Sequence, residues 1–187
     1  MPSSDSLPFK PVSASQVTIT ELMIPSYSNF GGKIHGGIIL SLLDKVAYAA
    51  AARHSGGYCV TLSVDKVVFW QPVEVGQLVS LRASVNYVGN SSLIVGVKVT
   101  SENVRTGEEH HTNSCYLTMV SVDDAGNPSP VPGLIIENAT QARRWHQAWQ
   151  MKQQDLAIRE RERTRGEVSM ETVKAAMEGE RAQWQVG

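Results

Sequence analysis

The segment GGIILSLLDKVAYAAAARH, residues 36–54, limits what this chain can fold into more than any other. Ile38, Ile39, Leu42, Leu43, Val46 and Ala47, then Ala49 to Ala52, recur at helical spacing in residues that favour a helix. HSGG at 54–57 stops the run, with Gly56 or Gly57 suited to a left-handed cap. A helix of about five turns that is apolar on most of its surface has to be largely wrapped by other structure. One carboxylate, Asp44, sits in its middle.

The wrapping is read from the rest of the chain. QVTITELMI (16–24) alternates apolar and polar residues as a strand does, and PSYSNFGG is loop. After the helix come four strand candidates: YCVTLSVDKVVFW, QLVSLRASVNYV, SLIVGVKVTSENV and HHTNSCYLTMVSV. QPVEVG, GNS and RTGEE, between them, carry Pro, Gly or Asn where hairpins turn. One strand, one long helix and a meander of strands predict an α+β fold, an antiparallel sheet curled round one central helix.

DDAGNPSPVPG (123–133) reads as a turn and an extended run that closes the core domain, placed at 15–136. Before it, the Ser- and Pro-rich residues 1–14 read as a flexible arm. After it, nine of the 17 Lys and Arg follow residue 140, and IRERERTR interleaves its charges. Residues 137–187 are therefore expected to be a partly flexible C-terminal helical extension. Either it is a solvated helix, or Trp145 and Trp149 dock it on a neighbouring subunit.

At 187 residues the chain suits one core plus an appendage. Its formal charge of −1, with no basic face rich in aromatics, speaks against nucleic acid. Cys59 and Cys115 lie in apolar runs without metal-type spacing, so they read as reduced core thiols, with no zinc site and no disulfide framework. The first fifteen residues hold no apolar leader, and the longest apolar stretch is broken by Asp44 and Lys45. No membrane insertion and a cytoplasmic location are expected.

The free amides of a first turn beginning at Gly36, together with the helix dipole, favour an oxygen that is gaining negative charge. Asp44 is eight residues on, about 12 Å along the axis. A base or nucleophile and an oxyanion donor acting on one carbonyl must each come within about 3 Å of it. One chain cannot supply both. Two copies of the helix lying antiparallel across a two-fold axis can, which predicts a homodimer with two sites. In the bland alternative, Asp44 pairs with Lys45 or Arg53 and faces water. Among apolar neighbours the carboxylate needs a hydrogen-bonding partner to stay ionised and oriented, and Asn29 is a candidate for that partner or for positioning water.

NFGGKIHGG, LLDKVAYAAAARHSGG, VTLSVDKVVFWQPVEVGQLVSLRASVNYVGNSSL and TGEEHHTNSCYLTMVSVDDAGNPSPVP together resemble the hotdog-fold acyl-CoA hydrolases. The resemblance is to the branch of bacterial broad-range and animal cytosolic acyl-CoA thioesterases, and it runs from about residue 16 to 134. It implies a dimer often assembled into a trimer of dimers, a hexamer. It also implies hydrolysis of fatty or other acyl-CoA to free acid and coenzyme A, with no metal or organic cofactor beyond the coenzyme A of substrate and product.

The family pattern N-x-x-G-x-x-x-G-G, with an acid eight residues after the first paired glycine, falls on Asn29, Gly32, Gly36, Gly37 and Asp44. The match implies Asp44 as nucleophile or general base. Asn29 of the partner chain would assist, and the Gly36 or Gly37 amide would polarise the thioester carbonyl. His35 either meets the pantetheine arm or packs at the helix entry. Ser91 and Ser92 match a segment that approaches coenzyme A in relatives, but Asn90 stands where many of those carry Arg or Lys. Lys66, Arg82 and Arg105 are alternative sources of that charge. Phe69 and Trp70 fill the core or dimer seam, or else wall an acyl tunnel.

Two competing functions sit on the same fold: a non-catalytic acyl-CoA or nucleotide binder, and a dehydratase or hydratase acting on acyl thioesters. The second lacks its G-H-F segment here.

Overall fold

A computed structural model describes residues 7–164, 166 and 168–182. It forms two compact units, Met1–Gln150 and Met151–Gly187. The first holds strands β1 (Lys10–Pro11) and β2 (Val17–Leu22), helix α1 (Gly36–Ser55), strands β3 (Tyr58–Val64), β4 (Gln77–Val88), β5 (Ser92–Asn103), β6 (Glu108–Val122) and β7 (Leu134–Ile135), and the start of helix α2 (Ala139–Thr164). The second holds the remainder of α2 and a short helix α3 (Met170–Met177), whose Ser169 cap accepts a hydrogen bond from the Thr172 N–H.

Five strands make an antiparallel sheet in the order β2-β4-β5-β6-β3, curled round α1. Alternation along each strand sorts the two faces. Val79, Leu81, Val85, Leu93, Val95, Val99, Leu117 and Met119 turn inward, each no more than 1% exposed, against Ile39, Leu42, Leu43, Val46, Ala47, Ala50 and Ala51 of α1. Gly56, in the left-handed region with φ 78°, ends α1 and donates to the Ala52 carbonyl, so it is the first of the two candidate glycines that caps the helix.

The wrapping of α1 is less complete than expected. Leu40, Asp44 and Tyr48 form an uncovered stripe, with Leu40 42% and Tyr48 40% exposed. Five strands span only one side of the helix.

The strand expected over 58–70 stops at Val64. A bulge shifts the register between Thr61 and Ser63, and bulges bend the strand that carries them. Beyond it, single backbone bonds tie the segment to β6: Asp65 N–H to the Tyr116 carbonyl (3.0 Å) and Trp70 N–H to the Thr112 carbonyl (3.2 Å). Phe69 and Trp70 are 43% and 57% exposed in the single chain, so they do not fill its core.

Part of the expected flexible arm is anchored. Pro11 of β1 pairs in parallel with Ile135 of β7, Val12 and Ser15 are buried, and Ser15 Oγ accepts from the Val85 N–H. Residues 1–6 of that arm lie outside the described residues. The extension likewise joins the first unit at its start, where Gln141 and Ala148 are buried and Trp145 meets Tyr87 at a ring separation of 6.1 Å. Trp145 is thus held by its own chain's sheet. Trp149 stacks on His146 and stays 38% exposed.

Candidate active site

Residues 28–34 form a tight loop before α1. The Asn29 N–H donates to the Lys33 carbonyl (2.7 Å), Gly32 turns the chain at φ 76°, and Asn29 Oδ1 accepts from the N–H groups of Gly31 (2.9 Å) and Lys33 (3.2 Å). The Asn29 carboxamide is therefore fixed by its oxygen, and its nitrogen makes no hydrogen bond among the described residues. Phe30 stands fully exposed at the loop tip. Lys33 also pairs with Glu74, but both are about half exposed, so the pair contributes little.

His35 caps α1, its Nδ1 accepting from the Gly37 N–H at 2.9 Å. With Nδ1 accepting, Nε2 is the ring nitrogen left to donate. A Cβ on Gly37 would lie 2.9 Å from His35 Nδ1, so glycine there makes room for the cap. The two glycines thereby separate: the Gly37 amide is spent on His35, whereas the Gly36 N–H makes no hydrogen bond among the described residues. Phe69 covers Gly36, its ring 3.8 Å from where a Cβ would stand.

Asp44 lies on the open stripe of α1. Its Oδ1 accepts a hydrogen bond from Thr61 Oγ1 at 2.5 Å. Thr61 faces Met119 across the ladder, with Oγ1 3.4 Å from Sδ, directly before the β3 bulge. The bland pairings do not occur: no ion pair links Lys45 to Asp44 among the described residues, and Arg53 donates to the Gln16 carbonyl instead.

Asn29 is likewise not Asp44's partner within the chain; Thr61 is. Sequence reading missed Thr61. Its signal is the alternation of Cys59, Thr61 and Ser63 against Tyr58, Val60 and Leu62, which marks the smaller side chains as the helix-facing set.

One chain thus holds two separate polar groupings, the Asn29–His35–Gly36 turn and the Asp44–Thr61 pair, apart along α1. Ser91 and Ser92 sit in the β4–β5 hairpin, where the Ser91 carbonyl accepts from Ser121 and that of Ser92 from Gly89. No hydrogen bond among the described residues joins them to either grouping.

Cys59, Cys115 and His54 are buried away from these groups. Burial pushes the Cys115 thiol up to about 12, with the Asp65 charge adding to it, and burial also raises Cys59. His54 is buried with Nε2 on the Pro132 carbonyl, and burial holds it below the usual histidine range. No three His, Cys, Asp or Glu among the described residues are grouped to hold a metal. No helix of the described residues is long and apolar enough to cross a membrane.

Known proteins share this framework. The thioesterase superfamily pattern matches residues 31–108. Protein VdlD of Helicobacter pylori is 45% identical over 139 residues, 74% of this chain and 79% of its own length. The uncharacterized acyl-CoA thioester hydrolase YkhA of Bacillus subtilis is 37% identical, over 66% of this chain and 72% of its own.

Among solved structures, the acyl-CoA hydrolase of Staphylococcus aureus in complex with butyryl coenzyme A and coenzyme A superposes with a TM-score of 0.78 at 29% identity, covering 84% of this chain and 96% of that one. Variants of that enzyme with alanine in place of an aspartate, an asparagine or a threonine have also been solved. A hexameric acyl-CoA thioesterase superposes at 0.77 with 34% identity, covering 79% and 95% of the two chains. With its curled sheet, its single core helix and these relatives, the chain belongs to the thioesterase superfamily and is an acyl-CoA thioester hydrolase of the hotdog fold.

Proposed function

We propose that this enzyme hydrolyses fatty or other acyl-CoA at two composite sites of a homodimer, each built from Asp44 and Thr61 of one chain and Asn29 and Gly36 of the other. The observation that carries this reading is the Gly36 N–H, without a hydrogen bond among the described residues, at one end of α1 and the Thr61-held Asp44 carboxylate, two turns on, facing out of the chain. The aspartate, asparagine and threonine replaced in the S. aureus variants recur at the same intervals along the sequence as Asp44, Asn29 and Thr61, which supports it.

In the proposed step the thioester carbonyl oxygen accepts from the Gly36 N–H. Asp44, fixed by Thr61, attacks the carbonyl carbon or takes a proton from the attacking water. The C–S bond breaks as the tetrahedral centre collapses, and the sulfur leaves as the coenzyme A thiolate; if Asp44 attacked, water then cleaves the acyl–Asp44 anhydride to release the acid and restore the carboxylate, and if water attacked, the acid forms at once and the proton held by Asp44 passes to the thiolate. The free Asn29 carboxamide nitrogen donates to the carbonyl or to that water. Gly37 serves the His35 cap, and His35 Nε2–H is left to meet the pantetheine arm. The reaction calls for no metal or organic cofactor.

The dimer reading is supported by the open stripe of Leu40, Asp44 and Tyr48. It is supported too by the free edge of β3, where Tyr58, Val60, Leu62 and Val64 are 37–61% exposed. Apolar edge strands of this kind invite pairing with a second copy. A further assembly of three such dimers is in keeping with the hexameric relative.

Asp44→Asn and Asn29→Ala should each lower turnover of an acyl-CoA panel about 100-fold or more while leaving the melting transition in place. Mixing the two inactive variants should restore about a quarter of wild-type sites, since half the dimers are mixed and each has one intact site. No recovery despite demonstrated subunit exchange would refute the cross-chain site. No thiol release by the wild type from any ester would instead favour the non-catalytic binder.

A further inference from the structure

On the face of the sheet opposite α1, between β2, β4, β5 and β6 and the first turns of α2, lies a cleft of about 790 Å³. Its floor is ordered by strand register. Thr18, Arg82, Lys98 and Ser114 form one row across four strands, and Ser84, Gly96 and Tyr116 form the next. Arg143, Arg144 and Gln147 of α2 line the opposite wall.

Arg82 and Lys98 are direct cross-strand partners, and like charges placed so are destabilising. Arg82 has Glu109 at 3.8 Å, with both side chains about half exposed. Lys98, Arg143 and Arg144 make no ion pair among the described residues, and no Asp or Glu lines the cleft. In a chain of formal charge −1, Arg82, Lys98, Arg143 and Arg144 converge here, and among the described residues only Arg82 has an acidic partner.

Neutral donors and acceptors lie beneath. Ser84 Oγ donates to Asn86 Oδ1 (3.0 Å) and the Tyr116 phenol to Gln147 Oε1 (3.2 Å). A Cβ on Gly96 would come within 2.2 Å of Asn86 Nδ2 and 3.1 Å of Tyr116 Cε1, so a glycine in mid-strand lets these two side chains lie flat as a floor. Burial raises the Tyr116 phenol, and Arg144 and Arg143 draw it part of the way back.

We propose that this cleft is a second ligand site, taking the multi-phosphate group of a nucleotide between Arg82 and Lys98 on the sheet and Arg143 and Arg144 on α2. Cations on two walls call for an anion with several charged oxygens, and guanidinium forks match phosphate oxygens in pairs. The cleft is larger than a diphosphate requires, and its remaining lining of Gln16, Ser84, Asn86 and Gln147 suits a ribose and base. The site is on the far face of the sheet from the Asp44–Thr61 pair and does not depend on the assignment of catalytic residues. Two sources share the chemistry: a free nucleotide, and the diphosphate end of coenzyme A.

Calorimetric titration of the full chain with ADP, coenzyme A and tripolyphosphate at low salt, comparing wild type with Lys98→Gln/Arg143→Gln, tests the site. The double variant should bind at least one of these about tenfold more weakly, and wild-type binding should weaken as salt is added. Loss of ADP binding with an unchanged KM for acyl-CoA identifies a free nucleotide as the occupant. A parallel rise in that KM identifies the substrate's own diphosphate. If no ligand loses more than about threefold in affinity, or none binds the wild type, the site is refuted. Should the double variant not fold, Lys98→Gln alone carries the same comparison.

Discussion

The two faces of the central sheet are made by the same strands and held by opposite means. On the inner face, odd-numbered residues of β4 such as Leu81 and Val85 meet α1 in a dry core whose helix residues Leu43, Val46, Ala47, Ala50 and Ala51 are all fully buried. On the outer face, even-numbered residues of the same strand, Arg82, Ser84 and Asn86, look toward α2, which buries only Gln141 and Ala148. The inner face is determined by volume, since close packing leaves little tolerance for a missing or added methylene. The outer face is determined by hydrogen bonds and charge, and it keeps a cleft. Stability resides on one side of the sheet and unspent polar groups on the other.

That contrast sets the expected effects of substitution. Leu43→Ala on the inner face should cost about 2–5 kcal/mol, read from denaturant unfolding with an unchanged slope. A loss below about 1 kcal/mol would mean that the core is looser than described. Gly96→Ala on the outer face should cost about 1–3 kcal/mol, because the added methyl displaces Asn86 and Tyr116, both held by hydrogen bonds. A neutral result there would show the floor to be adaptable. Lys98→Gln should act in the other direction and raise stability by about 0.2–1 kcal/mol, since it removes a like-charge pair that the ligand-free fold gains nothing from. A loss of stability would place an anion or acidic partner over the cleft in the purified protein.

The inner face was also the legible one. Its strands announce themselves by alternation: β4 runs Gln77–Val88 and β5 Ser92–Asn103, close to the segments read from sequence, and α1 follows from its spacing and its Gly56 stop. Bulges and weak ladders were not legible, because they depend on which partner a strand finds; the segment after Val64 is the case in point. The same applies to β1 and β7, two-residue strands far apart in sequence whose pairing anchors residues expected to be free.

At the candidate site, the spacing of Gly36 and Asp44 already pointed to two chains if both groups act on one carbonyl, a matter of helix rise alone. Three things required the fold. Thr61 reaches Asp44 because the turn at Gly56 folds β3 back along α1. His35 spends the Gly37 amide and leaves that of Gly36, which depends on a side-chain rotamer no spacing encodes.

The third is the basic cleft. Arg82, Lys98, Arg143 and Arg144 are scattered along the chain and become neighbours only through ladder register and the docking of α2. Local periodicity and helix rise act between near residues, so the sequence determined the elements and the core helix, and it carried the expectation of a second subunit. Which polar groups meet, and which are left unspent, was decided by contacts between distant residues, and those exist only once the sheet has closed on its helix.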